Sequence, residues 1–109
     1  MKEAVVQKWV RDQLQKEYGE YCVYIKYHAG QYATRGVSDL IFCIHGIYVA
    51  IEVKTETGTP TKLQLRFLNS VKTAGGVAAI IYGKDQDRIN AIIKQINRKS
   101  GKSIPIDKL

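Results

Sequence analysis

The chain has 109 residues, a length that suits one domain with its own hydrophobic core, and we expect a single domain over residues 1–109. Hydrophobic residues make up 45% and charged residues 25%, which is typical of a globular protein and excludes a disordered or membrane-embedded chain. The net charge of +7 favours a polyanionic partner. Without a secretion signal or an apolar run of about 18 residues, the sequence predicts a soluble, intracellular protein of the host cytoplasm with no membrane partner.

The first predicted element is an amphipathic helix. Apolar residues recur every three or four positions over 2–17, and the helix is expected to end before Gly19. β-branched and aromatic residues predict a strand over 21–29. The segment 30–36 has glycine at both ends and is expected to be a loop.

Two apolar runs follow and meet at His45-Gly46, a dipeptide suited to a two-residue hairpin turn. With these two residues as the loop, Asp39 falls directly opposite Glu52 on the neighbouring strand. Opposed residues have Cβ atoms about 4.5 to 5.5 Å apart, where like charges destabilise a sheet. Lys54 shares the face of Glu52, because side chains alternate along a strand. The hairpin therefore predicts a cluster of two acids and one lysine.

The second half of the chain predicts a helix, a strand and a helix. Thr61 is the expected N-cap of a helix that ends before Gly75. The apolar segment 77–83 is expected to be a strand buried on both faces, and 85–100 a second amphipathic helix closed by Gly101. A meander followed by a helical crossover gives a mixed sheet flanked by helices, in the α/β or α+β class.

Cys22 and Cys43 lie far apart, with no Cys-x-x-Cys or Cys-His spacing around them. A zinc site or a redox pair is therefore not predicted. We expect both cysteines to be small core residues.

Two opposed carboxylates are suited to a hard divalent cation such as Mg²⁺, which commonly takes one or two protein carboxylates together with waters and phosphate oxygens. A lysine beside such an ion can position water and neutralise charge on a phosphate. The alternative is a salt-bridged trio of Asp39, Glu52 and Lys54 on a solvated sheet face. For an arbitrary hairpin, that alternative is the more common one.

The spacing of Asp39 and the E-V-K of 52–54 resembles the PD-(D/E)XK nuclease superfamily. More specifically, the chain resembles the VRR-NUC family of virus-type replication-repair nucleases in three stretches, R-G-V-S-D-L, A-I-E-V-K and T-P-T-K-L-Q-L-R-F-L-N-S-V-K-T-A-G-G. The resemblance runs from about Glu3 into the last helix. It implies a restriction-endonuclease-like core of order α-β-β-β-α-β-α.

The resemblance also implies an activity, which is metal-dependent DNA endonuclease action with Mg²⁺ or Mn²⁺ as cofactor. Stand-alone phage members of the family are similar to dimeric Holliday junction resolvases. The implied substrate is therefore branched or four-way DNA in processes such as DNA repair, and the implied assembly is a homodimer.

Carried over by position, the resemblance assigns Asp39 and Glu52 as metal ligands, with the backbone carbonyl of Val53 as a third. Lys54 takes the place of the catalytic lysine. Ser38 stands where the superfamily pattern has proline.

Two further positions match the family and also have ordinary structural explanations. Glu3 matches an N-terminal glutamate that binds the metal directly or through water, and it is equally suited to the first turn of a helix. Gln64 matches a glutamine near the active centre, and Thr61-x-x-Gln64 also fits a capping box.

The expected DNA contacts are basic or polar residues near the site: Arg35, His28, Gln31, Lys62 and Arg66. Arg35 is the leading candidate, because it lies in a glycine-flanked loop just before Asp39. Each of these residues is also compatible with a solvated surface. Two rival functions stay open, a non-catalytic basic module that binds nucleic acid and a nuclease that cuts duplex DNA at a sequence.

Overall fold

The computed structural model of the chain describes residues 2–26 and 36–101. Within these ranges the helices are α1 (Glu3–Tyr18), α2 (Lys62–Thr73) and α3 (Gln86–Ser100), and the strands are β1 (Cys22–Ile25), β2 (Leu40–Ile44), β3 (Ile47–Lys54) and β4 (Val77–Tyr82). No helix in the described part of the chain is both long enough and apolar enough to cross a membrane.

The four strands form one mixed sheet in the order β1-β2-β3-β4. The first three strands are antiparallel neighbours, and β4 pairs parallel to β3 after the crossover through α2. The predicted element order and the α+β architecture are therefore confirmed.

The hairpin turn forms at the predicted dipeptide. His45 and Gly46 have φ angles of 50° and 79°, as a two-residue turn with two left-handed positions requires. The resulting register pairs Leu40 with Ile51 and Ile44 with Ile47, as predicted. This register decides which side chains share a face with the acidic residues.

One face of the sheet packs against α1 and α3 and forms the main core. In β3 the residues on this face are Val49, Ile51 and Val53, each with 0% exposure. The helices contribute Val6, Val10 and Leu14 from α1 and Ile89, Ile92 and Ile96 from α3. The amphipathic spacing predicted for both helices is confirmed.

The opposite face packs against α2 and holds a smaller apolar cluster. Leu68 and Val71 of α2 cover Ile41, Ala50 and Ala78 of the sheet. This cluster covers only the middle of the face. The two ends of the face differ in exposure and in chemistry.

The strand predicted over 21–29 is shorter in the structure. Tyr21 belongs to a 3-10 turn, the strand covers Cys22–Ile25, and Lys26 lies beyond its end. Residues 27–29 and nearly all of the predicted loop, 30–35, lie outside the described residues. A pattern of β-branched and aromatic residues does not show where pairing with β2 ends.

The expectation that both cysteines are core residues is wrong for Cys43. Cys22 is buried and Cys43 is exposed. Cys43 lies on the α2 face between its cross-strand partners Val23 and Tyr48, which are also exposed. This end of the face extends beyond the cover of α2.

Candidate active site

Asp39 lies one residue before β2, and its side chain is hydrogen-bonded to the neighbouring strand β3. Its Oδ2 atom accepts a hydrogen bond of 2.9 Å from the backbone N–H of Val53. The carboxylate is thus held against β3 beside Glu52. The preceding residue, Ser38, is buried, and its hydroxyl has no hydrogen-bond partner among the described residues.

Glu52 projects from β3 toward α2 and is 1% exposed. Its Oε2 atom accepts a hydrogen bond of 3.0 Å from Gln64 Nε2. Its Oε1 atom is buried and has no hydrogen-bond partner within residues 2–26 and 36–101. A buried carboxylate oxygen without a partner is costly, so this atom needs a ligand that the described residues do not supply.

Burial raises the pKa of Glu52 to about 8, and the nearby Asp39 carboxylate adds to the rise. The positive charge of Lys54 acts in the opposite direction and is smaller. Burial and the adjacent Asp39 carboxylate therefore favour the neutral form of Glu52 when no cation is bound.

Lys54 follows two residues after Glu52, and its side chain is 15% exposed. Its Nζ atom lies 3.7 Å from Glu52 Oε2, a long ion-pair distance. The salt-bridge alternative placed these groups on a solvated face. Glu52 is instead buried under α2, where an ion pair of this length compensates only part of the cost of desolvation.

Gln64 forms the capping box that its spacing from Thr61 predicts, and it also contacts Glu52. The side-chain Oε1 atom of Gln64 accepts a hydrogen bond of 2.8 Å from the backbone N–H of Thr61. The backbone N–H of Gln64 donates a hydrogen bond of 3.1 Å to Thr61 Oγ1, which completes the capping box. The side-chain Nε2 atom donates to Glu52. One glutamine therefore closes the start of α2 and fixes the carboxylate orientation of Glu52.

Gly36 brings the segment before Asp39 against the same turn of α2. A Cβ atom at Gly36 would lie 2.5 Å from the backbone oxygen of Leu63, and the φ angle of Gly36 is +81°. Only glycine fits this close approach without a shift. The G-V-S-D stretch and the start of α2 are thus packed together around the site.

Glu3 begins α1 and is partly exposed. In the described part of the chain, no group of three or more His, Cys, Asp or Glu side chains is placed to hold a metal ion. The structure thus brings Asp39, Glu52, Lys54 and Gln64 together and does not bring Glu3 into a three-acid cluster. Roles for Glu3 and for the carbonyl of Val53 stay predictions.

Three of the expected DNA contacts, His28, Gln31 and Arg35, lie outside the described residues. Lys62 and Arg66 are exposed on α2, one turn apart. Both line a shallow groove along the helix together with Leu65, Asn69, Ser70, Thr73 and Ala74. The first turn of that helix is the one that holds Gln64 against Glu52.

Sequence reasoning missed one side chain beside the site. Tyr82, the last residue of β4, is in register with Lys54 and is 42% exposed. The apolar pattern of β4 predicts a strand but does not fix its parallel register, which depends on the crossover through α2. Tyr82 could not be placed beside Lys54 without that register.

No family model and no curated protein matches the chain. Among solved structures, one described as a VRR_NUC domain protein superposes with a TM-score of 0.64 at 19% sequence identity, over 91% of this chain and 90% of that one. Another, described as a VRR_NUC domain, has a TM-score of 0.64 at 21% identity, over 84% of this chain and 94% of that one. The resemblance seen in the sequence is confirmed at the level of the fold, and the chain has the restriction-endonuclease-like fold of VRR_NUC domains.

Proposed function

We propose that residues 1–109 form a single nuclease domain that hydrolyses phosphodiester bonds in DNA with the help of Mg²⁺ or Mn²⁺. The observation that carries the proposal is the Glu52 carboxylate, which is 1% exposed, lies beside Asp39 and keeps one oxygen without a hydrogen-bond partner among the described residues. The fold shared with VRR_NUC domains supports the same reading.

The donor set fits a hard divalent cation. Asp39 and Glu52 supply carboxylate oxygens, and the backbone carbonyl of Val53 is a third candidate, which are the ligand types that Mg²⁺ and Mn²⁺ accept. When bound, the ion would offset the repulsion between the carboxylates and stabilise negative charge that develops on the phosphate. Glu3 is proposed to take part only through a water molecule.

Lys54 is proposed as the catalytic lysine. Its side chain is 15% exposed, and its ammonium group lies 3.7 Å from Glu52 Oε2 and can donate hydrogen bonds both to an attacking water and to a phosphate oxygen. Shielding strengthens its interaction with the phosphate relative to a fully solvated lysine. Gln64 holds Glu52 Oε2, and this leaves Oε1 as the atom that would be available to hold the cation.

DNA is proposed to follow α2 away from the site. The helix spans Lys62–Thr73 and carries Lys62, Arg66 and Lys72 but no acidic residue. Exposed cations and hydroxyl groups contact phosphates without selecting a base sequence. His28, Gln31 and Arg35 are proposed as further contacts from the segment before Asp39.

Branched DNA such as a four-way junction is the proposed substrate, because the exposed cations of α2 are suited to phosphate contacts that do not select a base sequence. A junction has near two-fold symmetry and needs two cuts. A homodimer would supply two active sites in a matching arrangement.

The test is cleavage of labelled four-way, flap and linear duplex DNA with EDTA, Mg²⁺ or Mn²⁺. We expect metal-dependent cutting of the branched substrates that disappears in Asp39→Asn and Glu52→Gln. Asp12→Asn is a matched control, since Asp12 is an exposed acid paired with Lys8 on α1. Binding of all three DNAs without cutting under any metal would instead support a non-catalytic basic module with a structural Glu52–Lys54 ion pair.

A further inference from the structure

Tyr82 is an exposed aromatic side chain immediately beside the proposed catalytic lysine. It is in register with Lys54 across the parallel β3–β4 pair, as Ile80 is with Glu52. Residues in register on neighbouring strands project to the same face, so the Tyr82 ring lies on the face that holds Glu52 and Lys54. It is 42% exposed.

The backbone of Tyr82 is fixed relative to the site. The N–H of the next residue, Gly83, donates a hydrogen bond of 3.0 Å to the carbonyl of Lys54. Gly83 is buried with a φ angle of +65°, and a Cβ there would lie 2.8 Å from Glu56 Oε1. The ring is therefore carried on a tightly held strand end rather than on a loose loop.

The exposure of this strand rises toward the site. On the α2 face of β4, Ala78 is 3% exposed under α2, Ile80 is partly buried, and Tyr82 is 42% exposed. α2 thus covers the start of β4 and leaves its end open. The Tyr82 ring is therefore accessible to a binding partner next to the proposed catalytic residues.

We propose that Tyr82 stacks on a nucleobase next to the phosphate that is cut, and that this contact selects DNA in which a base is unstacked. The inference rests on the proposed nuclease function and adds the basis of its substrate choice. In the interior of a linear duplex each base face is covered by its neighbours, so an aromatic ring finds an open base face where stacking is interrupted, as at a branch point or in a single strand. Base–aromatic stacking of this kind changes affinity by about tenfold.

The test compares Tyr82→Ala and Tyr82→Phe with the wild type. Tyr48→Ala is the matched control, because Tyr48 is 44% exposed on the same face and lies six residues before Lys54 along β3, roughly 20 Å away at the usual strand rise. Affinity is measured with Ca²⁺ in place of Mg²⁺ on a four-way junction, a single strand and a linear duplex. A 2-aminopurine base beside the branch point reports stacking by its fluorescence.

We expect Tyr82→Ala to weaken binding of the junction and the single strand by about tenfold, to leave duplex binding unchanged and to remove the fluorescence change seen with the wild type. Tyr82→Phe and Tyr48→Ala should behave as the wild type. If Tyr82→Ala does not fold, Tyr82→Leu replaces it, since leucine keeps an apolar contact but not an aromatic face.

Equal affinities of the wild type and Tyr82→Ala for all three DNAs, or an equal loss on duplex and junction, would overturn the inference. If the wild type still cuts junction DNA in that case, the nuclease proposal survives and only the role of Tyr82 fails. A wild type that neither binds nor cuts DNA overturns both proposals.

Discussion

The two faces of β3 differ in what their side chains do. Toward α1 and α3 the strand presents Val49, Ile51 and Val53, each fully buried. Toward α2 it presents, in order, Tyr48, Ala50, Glu52 and Lys54, which pass from an exposed ring through a buried methyl group to a buried acid and a shielded lysine. The apolar face toward α1 and α3 stabilises the fold. This stability allows the face toward α2 to hold charges that destabilise the fold.

The largest expected loss of stability comes from a substitution on the sheet face that packs against α1 and α3. Phe42 of β2 is 1% exposed in the main core, and Phe42→Ala should lower the free energy of unfolding by about 3 to 5 kcal/mol because it leaves a cavity. Urea unfolding measures the loss. Cys43→Ala changes the exposed neighbour on the other face and should shift stability by less than about 0.5 kcal/mol. Equal losses from both changes would contradict the difference between the faces.

The next effect concerns the α2 face and is catalytic. Lys54→Ala should reduce the rate of DNA cleavage by about a hundredfold or more, since it removes the proposed hydrogen-bond donor to the phosphate. Folding stability should change far less than in Phe42→Ala. Single-turnover cleavage in Mg²⁺ and thermal unfolding measure the two quantities. Lys8→Ala, which removes an exposed lysine paired with Asp12 on α1, is the control and should cut at the wild-type rate.

Stability should depend on pH through Glu52. Its folded pKa of about 8 exceeds the ordinary value of 4.5, so the folded state binds the proton more tightly than the unfolded state. The stabilising contribution is complete below about pH 4.5 and is lost as the pH rises through 8. Urea midpoints of metal-free protein should therefore fall over this range in the wild type relative to Glu52→Gln. Parallel profiles for the two proteins would show that Glu52 does not titrate in this way.

A smaller effect separates the two roles of Gln64. Thr61→Ala removes a helix cap and should cost about 1 kcal/mol of stability while cleavage is kept, because Gln64 can still reach Glu52. Gln64→Ala should cost a similar amount and also slow cleavage. Unfolding and cleavage assays on both variants give the comparison. Equal cleavage rates in the two variants would mean that the contact with Glu52 is not used.

The sequence alone was sufficient to predict the part of the site that lies on the β2–β3 hairpin. His45-Gly46 fixed the turn, and the turn fixed which residues stand opposite each other, so the cluster around Asp39 and Glu52 followed from local rules. The near-complete burial of Glu52 and the position of Tyr82 did not follow. Both depend on how the α2 crossover seats a helix on the sheet and sets a parallel register, and those are long-range packing outcomes.

The resemblance to the VRR-NUC family gave one prediction that the spacing of residues along the chain did not. Gln64 is predicted to cap a helix by its distance from Thr61, and only the family pattern placed it near the active centre. Its hydrogen bond to Glu52 was not predicted. The exposure of Cys43 was predicted by neither, because it depends on how far α2 extends over the sheet.

The most direct test of the metal site is diffraction from crystals soaked in Mn²⁺, with data collected at a wavelength where manganese scatters anomalously. We expect one strong anomalous peak between the carboxylates of Asp39 and Glu52, in contact with Glu52 Oε1, and no such peak in Glu52→Gln crystals. The absence of a peak in the wild type, with Glu52 Oε1 still lacking a partner, would contradict the proposed role of the two acids.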